Sequence, residues 1–327
     1  SIESDRYDPN DLGYLQAPNE MNTIFNASYN QFTPTKNFLS YKYTVKATNS
    51  YLYKPASWRE LEIGATAFYF LRNFWDINIQ YLSRPIWQND FFELRTPGRV
   101  VKMMPWHYGG LIGSTDSRKR FYVSYDAGYA STPSFKNAEF FRYKLSFRYR
   151  FNDWLSLTIS SEGKRDMGNV GYAFIREPNG DPIIGWRDVY EQTTLLTGLL
   201  NFTPRMFLTL RARHYWSSVQ YEKFFNVDDK GNWINRPFIP GIDNNYNAYN
   251  LDVFYNWDFM YGSRLVIGWK NWMPFDYSID GNIYNSYGKN LRQVFQLPQG
   301  KELTARLIYF LDYQKLKRKK VVTASTD

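Results

Sequence analysis

The chain has 327 residues, with 40 lysines and arginines against 31 aspartates and glutamates, two histidines, no cysteine and a formal net charge of +9. The absence of cysteine excludes disulfides and thiolate metal sites, and His107 and His214 are too isolated to replace them. Aromatics make up 20% of the residues although mean hydropathy is −0.55, and no run of about 18 apolar residues exists, which excludes helical membrane spans.

Along the chain the dominant signal is a period of two. Leu39, Tyr41, Tyr43, Val45 and Ala47 share one parity, and Phe121, Val123, Tyr125, Ala127 and Tyr129 repeat the device. The longest case runs from Glu139 to Phe151, where Phe141, Tyr143, Leu145, Phe147, Tyr149 and Phe151 alternate with Arg142, Lys144, Ser146, Arg148 and Arg150. From Asn250 to Phe259 only Phe254 is out of step. Period two means a strand with one apolar face and one wet face. Runs beyond about ten residues exceed the usual strand of about five or six and fit strands that cross a bilayer.

Short turns separate the runs at Thr33 to Lys36, Arg72-Asn73, Asn152-Asp153, Thr203 to Arg205 and Met260 to Ser263. Longer polar connections are expected at Gly163 to Val189, Val219 to Asn247 and Pro274 to Gly300. Short connections at one end and long ones at the other predict periplasmic turns and extracellular loops. Rings beside the short turns (Phe32 and Phe38, Phe74 and Trp75, Phe151 and Trp154, Phe202 and Phe207, Phe259 and Tyr261) read as an interfacial girdle. The runs 21–32, 37–49, 57–71, 75–83, 99–113, 119–131, 137–151, 154–164, 190–203, 206–220, 246–260, 263–274 and 301–314 give about thirteen strands. The run 99–113 is the weakest, since Pro105 cannot donate to a ladder. Single-chain bacterial barrels have an even strand number with both ends periplasmic. An odd count therefore predicts that residues 1–314 are the C-terminal portion of a larger antiparallel transmembrane outer-membrane β-barrel, unless one strand is miscounted. The missing N-terminal strands would come from elsewhere. Residues 315–327, with the basic cluster Lys315 to Lys320, are expected as a periplasmic tail.

Three segments carry a resemblance: YDPNDLGYLQAPNEMN (Tyr7 to Asn22), STDSRKRF (Ser114 to Phe121) and NWDFMYGSRLVIGWKN (Asn256 to Asn271). They resemble the C-terminal half of a domain-of-unknown-function family of Bacteroidota, in which a signal peptide and a carbohydrate-binding module similar to family 9 precede a large β-barrel. The resemblance implies that the module and the first strands lie upstream of Ser1. It implies no known activity, and the matching segments are turn and girdle elements without catalytic residues.

For function, Arg142, Lys144, Arg148, Arg150, Arg211 and Arg213 form a candidate cationic wall on the wet, lumen-side faces. One reading is attraction of anionic solutes; the other is salt bridging to lumen acids such as Glu60, Glu62, Asp252, Asp258 and Asp312. Trp186, Tyr190, Trp233, Tyr246 and Tyr284 are candidate extracellular glycan contacts, or else rings that pack the loops into a lid. Asp228 to Trp233 reads as a tight turn, because it lacks the spacing of a calcium loop. No catalytic constellation, cofactor site or metal site emerges, and there is no GxSxG nucleophile elbow. His214 shares its strand face with Leu208, Leu210, Ala212 and Trp216 and is expected to face lipid. Cations and rings on opposite faces argue against nucleic-acid binding. The expectation is an outer-membrane barrel in contact with membrane lipid and lipopolysaccharide, acting as a surface glycan-binding or transport component. The alternatives are a membrane-bound carbohydrate-active hydrolase and a structural scaffold barrel in an outer-membrane complex.

Overall fold

The computed structural model describes residues 1–5, 19–278 and 286–313, so Tyr284, the segment 6–18 and the tail 315–327 lie outside the described residues. The first strands are β1 (Glu20–Gln31), β2 (Phe38–Leu52), β3 (Ser57–Leu71) and β4 (Asp76–Arg84). A small separate hairpin follows, β5 (Gln88–Asp90) and β6 (Val101–Met103). Next come β7 (Trp106–Ser114), β8 (Phe121–Ser131), β9 (Glu139–Arg150), β10 (Leu155–Arg176), β11 (Pro182–Thr203), β12 (Met206–Val227), β13 (Trp233–Asn235) and β14 (Asn244–Met260). The last elements are β15 (Ser263–Ser278), a short helix α1 (Tyr287–Gln293) and β16 (Gly300–Ile308). Apart from α1, the described residues form only β-strands and their connections. One antiparallel sheet runs β1-β2-β3-β4-β7-β8-β9-β10-β11-β12-β14-β15-β16, with β13 attached to β12.

Two expectations are corrected. The single run 99–113 is two elements broken at Pro105, which has neither an N–H for a ladder nor freedom in φ. The stretches Gly163 to Val189 and Val219 to Asn247 are largely strand: β10, β11 and β12 each continue for 22 residues. The β10–β11 turn is confined to Glu177–Asp181, closed by the Glu177 N–H donating to the Asp181 carbonyl at 2.8 Å.

The alternation becomes two chemically distinct faces. Lys144 of β9 stands opposite Asp126 of β8 and Glu162 of β10, while Leu145 stands opposite Tyr125 and Ser161. On the apolar face Phe141, Phe147 and Tyr149 remain 45%, 40% and 43% exposed, so no second layer buries them as a soluble sandwich would. The buried hydrophobic clusters lie at the end away from the short turns. There Leu94 and Val101, from the connection between β4 and β7, pack with Val170, Ile184, Trp186, Phe225 and Val227 of β10–β12. This connection, residues 85–105, crosses the polar face as a strap. It is tied to β3 by the Gln88 side chain, which accepts from Leu61 N at 2.9 Å. Its far side is tied by Glu93, which accepts from Tyr172 N at 2.7 Å, and by Lys102 Nζ, which donates to Asn232 Oδ1 at 2.7 Å.

On the other face, α1 covers part of β11–β14. Ser286 caps it by accepting from Lys289 N. Tyr287 packs at a tilt against His214, with ring centroids 4.7 Å apart, and donates to Thr194 at 2.7 Å, and Asn247 donates to the Asn290 carbonyl at 2.9 Å. His214 is thus on the apolar face as expected, yet it is 4% exposed because the helix lies over it.

The sheet has two outer edges. Among the described residues β16 pairs only with β15, and β1 pairs with β2 and, at its start, with the first residues of the chain. Ile2 bridges Met21, and Ser1 and Asn22 exchange backbone hydrogen bonds. From Thr23 onward no described residue pairs with the free side of β1.

Candidate functional site

Beneath the strap, on the polar face, lies a cavity of about 540 Å³, within the usual range for small-molecule sites. Gln88 and Asp90 of β5 and Met103 and Met104 contribute from the strap, while Leu82 and Arg84, Trp106 and Tyr108, Phe140 and Arg142, and Asp166 come from β4, β7, β9 and β10. Even spacing along each strand brings these side chains to one surface.

The cations on this surface are paired. Arg84 lies 2.9 Å from Glu60 and 3.2 Å from Glu62, and its guanidinium sits 5.6 Å from the Trp106 ring. Arg142 lies 3.3 Å from Asp126 and 5.5 Å from the Tyr108 ring. A second cavity, about 420 Å³, adjoins the first through Arg142 and is crossed by the Lys144–Glu162 pair at 2.9 Å and the Lys164–Glu191 pair at 3.1 Å. Opposite charges on neighbouring strands are worth a few tenths to about 1 kcal/mol each. Their larger effect is electrical, since each cation is cancelled within one strand spacing.

The predicted wall residues fall into three settings. Arg142 and Lys144 are in these cross-strand pairs. Arg148 and Arg150 both donate to the Ser117 carbonyl in the β7–β8 turn, and Arg148 also lies 4.7 Å from the Tyr122 ring. Arg213 lines the second cavity and sits 5.8 Å from the Tyr215 ring, while Arg211 stands opposite Asp252. The predicted glycan contacts are spread out. Trp186 is 7% exposed within the strap core, and Trp233 donates from Nε1 to the Lys102 carbonyl at 2.8 Å and packs on Phe135. Tyr190 lies 5.7 Å from the Arg165 guanidinium, and Tyr246 packs edge-on to Tyr215 at 5.6 Å. Asp228 accepts from the N–H groups of Lys230 and Asn232, closing the turn the sequence suggests. These bonds, led by those from Asn232, lower its pKa. Among the described residues no cluster of His, Cys, Asp and Glu has the geometry to hold a metal ion.

Sequence reasoning missed Arg84, Trp106 and Tyr108. Their signal was present in the period-two spacing of 80, 82 and 84 and of 106, 108 and 110. The break at Pro105 obscured it.

An extended antiparallel sheet with one exposed aromatic face and one ion-paired face, roofed at one end, defines the class: an all-β protein built on one large antiparallel sheet. The chain belongs to the family described as Domain of unknown function (DUF5916), which matches residues 1–320. No curated protein and no solved structure matches it.

Proposed function

We propose that this sheet is the wall of an outer-membrane β-barrel that serves as a surface glycan-binding or transport component. The exposed apolar face carries the reading. Transfer of one large apolar side chain from water into hydrocarbon contributes about 1.5–3 kcal/mol, and this face presents them on strand after strand. Phe32, Trp75, Phe151, Trp154, Phe202 and Tyr261 are exposed beside the short turns, as rings at a headgroup boundary would be. In this orientation the strap and the tall β10–β12 hairpins are extracellular, near lipopolysaccharide, and the chain leaves β16 on the periplasmic side.

An unpaired edge in hydrocarbon costs several kcal/mol per backbone group. Barrel closure therefore calls on strands beyond the described ones. The Ser1–Asn22 and Ile2–Met21 pairing supports this, because it forms the first rungs of an antiparallel partner on the free side of β1. The resemblance to a Bacteroidota family with an upstream carbohydrate-binding module supplies the glycan half of the proposal. A closed scaffold barrel is the second reading, favoured by the ion-paired wall and the roof.

The test uses the full-length protein with cysteines at Asn26 and Thr304. Outer-membrane fractionation, heat-modifiable migration and no disulfide between the two positions are expected. Recovery in the soluble fraction defeats the membrane reading, and a high-yield Asn26–Thr304 cross-link shows that β1 and β16 close on each other.

A further inference from the structure

We propose that the junction of the two cavities is a binding subsite for a neutral saccharide, recognised by Tyr108, Asp126 and Arg142. The inference rests on the reading of the wet face as a solute-handling surface and names the ligand class for it. Ten buried side-chain atoms among the described residues have no hydrogen-bond partner, and three of them meet here: Tyr108 Oη, Arg142 Nε and Asp126 Oδ1. Buried polar groups are rarely left unpaired, because each costs about 1–3 kcal/mol. Three on adjacent strands, in side chains that line one or both cavities, are a set of unused recognition groups that a small side-chain shift opens to a ligand.

Their arrangement is built in. Gly110 and Gly128 stand opposite each other on β7 and β8, and Gly128 stands opposite Arg142 on β9. A Cβ at either glycine would collide with the Tyr108 ring. The ring therefore lies flat across two strands and carries its hydroxyl toward Arg142. Two glycines inside strands weaken the ladder, and the close approach of this ring is what they permit.

Charge decides the class of ligand. Asp126 and Arg142 neutralise each other at 3.3 Å. An anion would have to displace Asp126 from the guanidinium, and a cation would meet Arg142. The free atoms are one donor, one acceptor and one hydroxyl that does both, which matches the hydroxyl groups of a neutral sugar. Trp106, Met103 and Phe140 on the same cavity wall offer the apolar contact that the C–H face of a pyranose requires.

The experiment titrates purified full-length protein in detergent with maltotriose, xylotriose and mannotriose, and with trigalacturonate as the anionic control. Calorimetry and tryptophan fluorescence are the readouts. At least one neutral trisaccharide is expected to bind saturably and trigalacturonate to bind more weakly. Tyr108→Phe, which removes only the hydroxyl, should weaken the neutral ligand about threefold to tenfold. Asp126→Asn, which frees the guanidinium, should reverse the preference toward trigalacturonate. Absence of saturable binding by all three neutral probes, unchanged affinity in Tyr108→Phe, or tighter binding of trigalacturonate to the unmodified protein overturns the proposal. Bilayer insertion is measured on the same preparation. A protein that inserts but binds no sugar defeats this inference alone, and one that binds sugar without inserting defeats the membrane reading alone.

Discussion

Asp116, in the short turn between β7 and β8, receives hydrogen bonds from both Nε and Nη2 of Arg118 at 2.8 Å. Those side-chain bonds, aided by the Arg118 backbone N–H and by Lys119, hold its pKa down at about 2. A carboxyl depressed on folding stabilises above its unfolded pKa, ~3.9, and loses that contribution as pH falls toward the folded value. The turn should therefore be fully held at pH 5 and loosen as pH drops from about 4 to about 2. Arg118→Ala should return the Asp116 pKa toward the ordinary carboxylate range in an NMR titration; a value still near 2 would assign the effect to the backbone. The same guanidinium lies 3.6 Å from the Phe74 ring, so the substitution also unties the β3–β4 turn from its neighbour. Glycine positions offer a second residue-scale test. A Cβ at Gly163 would lie 2.6 Å from Tyr143 Cε1, beside the bond from Tyr143 Oη to Gln192. Gly163→Ala should cost about 1–3 kcal/mol in urea unfolding, and the penalty should shrink when Tyr143 is also reduced to alanine.

At the scale of the strand, β9 is the sharpest test of the two faces. Leu145→Arg puts a charge on the exposed apolar face and should cost about 2–4 kcal/mol at mid-membrane. Arg148→Gln sacrifices the bond to the Ser117 carbonyl, worth about 1 kcal/mol, and should assemble. Equal outer-membrane yields of the two variants would show the faces to be misassigned. β9 was legible because every residue from Phe141 onward obeys period two, and so were most of the sheet's strands. The upper half of β10 was not, because Gly168 takes a φ of +63° and Phe174 a φ of +60°. The register shift between Asp166 and Asn169 inserts one residue and flips the parity there, and the shift between Tyr172 and Arg176 inserts two more. A strand whose alternation is interrupted in this way reads as a polar loop. The helix α1 was missed for the opposite reason: seven residues behind a serine cap are too few for a period to appear.

For the molecule as a whole, the cavity was invisible in sequence because its walls are gathered from residues spread between Gln80 and Val170. The wall residues share a parity that could be read, but nothing local announces that residues 85–105 lie across them. If the barrel reading holds, the strap obstructs the outer mouth. Replacing Phe91 to Gly98 by a short Gly-Ser linker should raise single-channel conductance in planar bilayers, and unchanged conductance would mean that solutes pass elsewhere. The strap also orders events in time. Nearly every ladder in the sheet joins strands that are consecutive or separated only by the small hairpin or β13, so hairpins can add one after another with little chain entropy lost at each step. The strap's ties from Arg99 to Val227 and from Lys102 to Asn232 span 128 and 130 residues. They cannot form until β12 and the turn that follows it have been made and delivered. The chain therefore passes through a stage in which the earlier strands stand and the mouth is uncovered, and full protease resistance of residues 85–105 should be gained only after β12 has joined the sheet.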